Sequence, residues 1–259
     1  MENKLYFVFC NGEIMLEKRH DGTFTIPCCT EPPVAVKPGS EMLSVTTAEG
    51  TTVFTYDMEA DAIDDSRYEM CGLRNSYYKL TDMLYKTAGK CEELLHWNRN
   101  TRYCGTCGGL MRMHTDISKR CEKCGREVWP LLSTAVIVLI RKGDEVLLVH
   151  AKNFRGNFFG LVAGFVETGE TLEEAVEREV LEETGLHIQN IRYFGSQPWP
   201  FPCGLMVGFN AEYLDGDIHL QDSEITAGAW FKKDNLPEIP EKLSIARKLI
   251  DNWIEEMTV

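Results

Sequence analysis

Glu179, Glu182 and Glu183 stand close together in a stretch whose other signals are helical. Thr171 followed by Glu174 is a capping-box start, and Gly185 is placed to end the helix in a left-handed conformation. At about 100° per residue, Glu179 and Glu183 fall on the same side as Leu172, Ala175, Val176 and Val180. Burying two uncompensated carboxylates costs roughly several kcal/mol each, so an ordinary amphipathic helix does not account for the pattern. Cations must meet them. Glu182 flanks the pair at i, i+3, i+4 spacing, and hard oxygen donors grouped this way suit Mg²⁺ or Mn²⁺ rather than zinc. Arg178 is a partner for Glu170 or Glu174, a clamp rather than a catalytic group.

A second set of residues points to a different metal. Cys104-Gly-Thr-Cys107 and Cys121-Glu-Lys-Cys124 are two knuckles separated by thirteen residues, each followed by glycine. Two C-x-x-C turns bring four thiolates to one tetrahedral zinc at roughly 2.3 Å, and with every position filled by protein the role is structural. His114 lies between the knuckles and reads as a surface residue. Arg102, Arg112, Lys119, Arg120, Lys123 and Arg126 make the segment basic. They either contact nucleic acid or only solvate a small metal-clamped lobe. The other six cysteines, Cys10, Cys28, Cys29, Cys71, Cys91 and Cys203, are scattered and read as reduced thiols.

The elements around these groups divide the chain. Leu5–Cys10 and Glu13–Leu16 flank Asn11-Gly12, a tight-hairpin signal, and turn signals continue at Asp21-Gly22 and Pro38-Gly39. Asn75 to Trp97 has helical spacing, with Tyr77, Leu80, Leu84, Ala88, Cys91 and Leu95 on one stripe and a break at Gly89. After the cysteines the pattern becomes α/β. Ser133–Ile140 and Glu145–Ala151 read as a buried hairpin, Thr171–Thr184 as a helix, Leu205–Tyr213 and Gly228–Phe231 as strands, and Leu243–Met257 as a closing helix. The predicted division is a β-rich amino-terminal domain (1–97), a zinc ribbon (98–129) and a catalytic domain (130–259).

Composition narrows the function classes. The chain has 259 residues, 44% hydrophobic, with 27 Lys and Arg against 40 Asp and Glu, a net charge of −13. Such a surface repels phosphate and anionic membranes as a whole, so a polyanionic substrate needs local help. The longest apolar run, Ala135–Ile140, is far short of the roughly 18 residues of a membrane span, and Met1–Cys10 lacks a signal-peptide pattern. The sequence reads as soluble and cytoplasmic, with no membrane partner.

The run G-x5-E-x7-R-E-U-x-E-E-x-G-U, with U apolar, is matched by Gly164, Glu170, Arg178, Glu179, Val180, Glu182, Glu183, Gly185 and Leu186. It resembles the Nudix box. The resemblance implies an α/β/α Nudix sandwich with a mixed sheet that hydrolyses a diphosphate linked to another group, using divalent cations. Ten residues on stands Ser196-Gln-Pro-Trp-Pro-Phe-Pro202, with three stiffening prolines and the flat rings of Trp199 and Phe201. Read alone, this segment is a core or dimer contact or a nucleobase platform. It is similar to the signature of the NADH pyrophosphatases (NAD diphosphatases, which also remove NAD caps from RNA). These, too, have a four-cysteine zinc lobe before the catalytic domain and a divergent first domain.

That family resemblance implies cleavage of NAD(H) to AMP and NMN(H), removal of NAD caps from RNA 5′ ends, and a homodimer. Glu179, Glu182 and Glu183, with Glu224 downstream, take metal-ligand or catalytic roles. Substrate contacts fall on Ala163, Phe165, Gln197, Pro198, Trp199, Pro200, Phe201, Pro202, Cys203, Gly204 and Ala246, and on Arg74 and Trp129 from earlier in the chain. Trp129 stands where tyrosine is common, and Gly204, where serine is common, lacks that hydroxyl. The rival readings are a Nudix hydrolase of ADP-ribose or dinucleoside polyphosphates, and a zinc-ribbon nucleic-acid-binding regulator with a Nudix sensor domain.

Overall fold

The structure is a computed structural model and describes residues 2–47, 49–63, 65–152, 154, 156–221 and 223–258. The chain divides into two compact units, Met1–Leu131 with Pro200–Cys203, and Leu132–Trp199 with Gly204–Val259. Among the described residues, no helix is long and apolar enough to cross a membrane.

The first unit begins with β1 (Lys4–Cys10), β2 (Glu13–Lys18), β3 (Phe24–Thr25), β4 (Cys28–Cys29), β5 (Leu43–Thr46), β6 (Thr52–Asp57) and β7 (Tyr68–Gly72). Asn11 and Gly12 both take positive φ, 51° and 81°, which is the tight hairpin between β1 and β2 that the Asn-Gly pair predicts. The sheet runs β3-β2-β1-β6-β5, with β1 and β6 parallel, β4 on β1 and β7 on β2. Period-two alternation sorts β1 between two cores. Phe7 and Phe9 join the residues of α1 (Asp82–Asn100), while Tyr6 and Val8 pack with Met15, Tyr56 and Met58.

The predicted helix from Asn75 is two elements. Asn75–Tyr78 is a 3-10 turn, and α1 starts afresh where the Thr81 hydroxyl accepts from the Leu84 N–H. Nor does Gly89 break α1, which runs through it; Pro200 packs so closely there that a Cβ would lie 3.0 Å from its ring. The first unit also holds the three-stranded sheet of β8 (Met111–Thr115), β9 (Ser118–Cys121) and β10 (Glu127–Val128).

The second unit contains β11 (Ser133–Lys142), β12 (Glu145–Ala151), β13 (Val162–Phe165), α2 (Leu172–Thr184), β14 (His187–Trp199), β15 (Gly204–Asp215), β16 (Ile225–Lys232) and α3 (Ile245–Glu256). Its sheet runs β14-β15-β11-β12-β16, with β13 on β11. Because β11 and β15 are parallel and the other pairs antiparallel, the sheet is mixed. Alternate residues of β11 face opposite layers. Val136, Val138 and Ile140 pack with Ala175, Val176 and Val180 of α2, and Ile137 and Leu139 pack with Leu249, Ile250 and Trp253 of α3. This is the α/β/α arrangement that the box implies.

Candidate active site

Helix α2 begins with the full capping box, Thr171 and Glu174 satisfying each other's backbone N–H, and ends at Gly185 with φ 71°. Within it Glu183 is buried at 5% exposure, on the side of Val176 and Val180, as the helical spacing requires. Among the described residues no cation pairs with it. Burial, then the charges of Glu179, Glu224 and Glu182, push its carboxyl up to about 8. Glu179 is raised in the same direction, burial again the leading cause.

Glu179 is held by a close backbone approach. A Cβ at Gly164 would stand 2.0 Å from the Glu179 carboxylate, so the carboxylate can keep this position only with glycine there. Arg178 is the clamp the sequence suggests, and its partner is Glu170, not Glu174. Its Nε and Nη2 donate to the two Glu170 oxygens at 3.0 and 2.7 Å, Nη2 to the Phe165 carbonyl at 3.0 Å, and Nη1 to Glu179 and Glu182 at 2.8 and 3.1 Å. Glu174 is engaged with Thr171.

Glu224, far off in sequence, arrives through a relay of backbone bonds. The Glu183 carbonyl accepts from Gln221 N at 3.0 Å, the Gln221 carbonyl from Glu224 N at 2.9 Å, and the Glu224 carbonyl from Lys152 N at 2.8 Å. Glu183, Glu224 and Ala163 line a cavity of about 320 Å³ that also takes in Lys152 and Phe154. Those last two are additions that sequence reasoning missed. Their only local signal is a charged and aromatic pair just past a buried strand, and their partners lie far along the chain.

The remaining predicted contacts separate into groups. Phe165 is 65% exposed at the end of β13. Gln197, Pro198 and Trp199 end β14, where Trp199 pairs with Gly204 of β15. Gln197 binds the Leu243 carbonyl through Nε2 at 2.8 Å and Lys248 Nζ through Oε1 at 3.1 Å, so its amide is already committed to the start of α3. Ala246 is a core residue of α3. Pro200, Phe201, Pro202 and Cys203 belong to the first unit. There Phe201 packs on the α1 core, and the Arg74 guanidinium lies over its ring at 4.7 Å. Trp129 is exposed in the same unit.

The four predicted cysteines converge, all ligand sulfurs lying within 4.8 Å of one another. Cys104 and Cys124 Sγ are 3.7 Å apart and Cys107 and Cys121 Sγ 3.5 Å. A tetrahedron with bonds of roughly 2.3 Å has edges of about 3.8 Å, so the donor set fits zinc. The surrounding cations are largely engaged locally. Arg112 pairs with Glu41 and Glu122, Arg120 with Glu127, and Arg126 with Thr106. Lys119 is buried on the Asn98 and Thr101 carbonyls at 2.9 Å each. That favours a solvated, metal-clamped lobe over a nucleic-acid surface. His114 is exposed, as expected.

Comparison with known proteins follows the same division. Residues 130–253 match the model of the NUDIX domain, and residues 3–97 that of the NADH pyrophosphatase-like rudimentary NUDIX domain. A protein of Haemophilus influenzae named NAD-capped RNA hydrolase NudC is 42% identical over 201 residues, 76% of this chain and 75% of that protein. Its namesake in Pectobacterium atrosepticum is 42% identical over 172 residues, 66% of each chain, so this chain spans just under two thirds of that relative. Among solved structures, a NUDIX hydrolase from Nitrosomonas europaea superposes with a TM-score of 0.52 at 24% identity, over 60% of this chain and 91% of that one, a likeness of fold.

Proposed function

The chain belongs to the Nudix hydrolase family, and from that premise we propose that it hydrolyses the diphosphate bond of NAD(H), giving AMP and NMN(H), and removes the NAD cap from RNA 5′ ends. The observation that carries this is Glu183, a buried carboxylate on the box helix with three further carboxylates bearing on it. In its ionised form such a group is stable only against cations. The names of the relatives supply the substrate class.

In this reading Glu179, Glu182, Glu183 and Glu224 hold Mg²⁺ or Mn²⁺, and Cys104, Cys107, Cys121 and Cys124 hold a structural Zn²⁺. Bound divalent ions supply the positive charge that phosphate oxygens need and lower the pKa of a water for in-line attack. The chain does the positioning. Gly164 seats the Glu179 carboxylate, the Glu170–Arg178 pair fixes the turn that presents it, and the backbone relay brings Glu224 to Glu183. Phe165 and Trp199 offer rings to the bases. A homodimer and a cytoplasmic location belong to the same proposal. The first rests on the resemblance to NADH pyrophosphatases, and the second fits ten cysteines with no disulfide among them.

The test is incubation of the purified protein with NADH and Mg²⁺ or Mn²⁺, with Glu183→Gln as control and products identified by chromatography. AMP and NMNH, absent from the control, support the reading. Intact NADH with folded, zinc-loaded protein refutes it and moves the search to ADP-ribose and dinucleoside polyphosphates.

A further inference from the structure

The cavity at Glu183 has a wall that the reaction as proposed leaves without a role. Strand β12 carries an irregularity at His150/Ala151, and bulges of this kind re-aim the side chains that follow them. The next described residues, Lys152 and Phe154, both line the cavity. The Phe154 ring is fixed with unusual care for a connecting segment. Phe158 stacks on it at 4.5 Å and 15°, and the His150 ring meets it edge-on at 5.8 Å and 83°. His150 Nδ1 is in turn tied to the Phe158 carbonyl at 2.8 Å. Gly160 leaves room for the ring, since a Cβ there would stand 3.0 Å from its atoms. A buttressed ring beside a lysine whose own backbone N–H is bonded to Glu224 has the chemistry of a nucleotide seat, a stacking face with a cation for the phosphate.

We propose that Phe154 and Lys152 bind one nucleoside 5′-monophosphate half of the substrate, Phe154 stacking on the heterocycle and Lys152 contacting the phosphate that ends beside the glutamates. The volume of about 320 Å³ lies at the low end of ligand sites and suits one half of a dinucleotide, not the whole. The proposal rests on the hydrolase reading for its geometry, but its test does not need turnover.

Full-length Glu183→Gln protein with zinc and Mg²⁺ is titrated calorimetrically with AMP, NMN and adenosine, alone and with Phe154→Ala, Phe154→Leu or Lys152→Gln added. Loss of the ring should weaken AMP or NMN by about tenfold, as base–aromatic stacking predicts. Phe154→Leu keeps the apolar volume and guards against misfolding. Weakening of AMP alone assigns the adenine half, and weakening of NMN alone the nicotinamide half. Lys152→Gln should weaken the same monophosphate while adenosine binding stays unchanged. Unchanged affinity for both monophosphates in folded Phe154→Leu and Lys152→Gln overturns the subsite, whether or not the parent enzyme cleaves NADH. Failure of the parent to cleave NADH, with the subsite titrations intact, would count against the hydrolase reading only.

Discussion

At the scale of single residues, the decisive fact is a carboxylate placed where its charge is unwelcome. Glu183 has a folded-state pKa near 8, above the ordinary glutamate value of 4.5. A group raised in this sense stabilises the fold fully below about 4.5, and the contribution is lost as pH rises through 4.5 to about 8. Without added Mg²⁺ or Mn²⁺ the melting temperature should therefore fall across that window, and Glu183→Gln should flatten the fall. Thermal melts against pH decide this, and equal slopes in the two proteins would contradict it. At pH 8, added Mg²⁺ should raise the melting temperature of the parent more than that of the variant. Gly164→Ala tests the neighbouring carboxylate. Its new methyl must displace the Glu179 carboxylate, so turnover should drop by about tenfold or more while stability changes little, the displaced group being the end of a flexible side chain.

At the scale of elements, helix α2 was legible from local spacing alone, because a capping box and a terminal glycine act within one or two turns. Thr171→Ala removes that cap and should cost about 1 kcal/mol by denaturant unfolding. Helix α1 is less legible. Tyr77 and Leu80 share the apolar stripe of the helix and hide the 3-10 turn ahead of it, and only Thr81 marks the true start. The stripe also gives no sign that Glu93 is half-buried, with Oε1 out of solvent and unpartnered and the carboxyl pushed up to about 7 by desolvation. The same sign applies: its contribution is lost as pH rises from about 4.5 to 7. Glu93→Gln should thus raise the melting temperature at pH 8 and change little at pH 4.5. The opposite order would show that the helix uses the charge. Lys152 and Phe154 were illegible for a further reason, since strand pairing over some seventy residues sets them beside Glu224.

At the scale of the molecule, a net charge of −13 would have to admit the polyanionic substrate that the proposed reaction requires. The four-cysteine lobe offers little relief, because Arg112, Arg120 and Lys119 are engaged by nearby acids and carbonyls. Association with capped RNA should accordingly be flat or faster as monovalent salt rises, the reverse of counterion-release binding. Stopped-flow rates at several salt concentrations check this, and a steep decline would revive the nucleic-acid-binding alternative. The two sites differed in how much the sequence disclosed. The cysteine knuckles disclosed a whole donor set by spacing, whereas the destination of Phe201 depended on a core whose buried strand residues come from five strands packed on a helix.

That destination bears on the order of synthesis. The first unit is nearly complete at Leu131, yet its core still lacks Phe201, and Pro200 has not reached Gly89. A ribosome must add about seventy further residues before the missing piece exists. A nascent chain halted at Leu131 should hold its strands more loosely than the finished protein, and a peptide carrying Pro200–Cys203 is the smallest fragment that could complete it in trans.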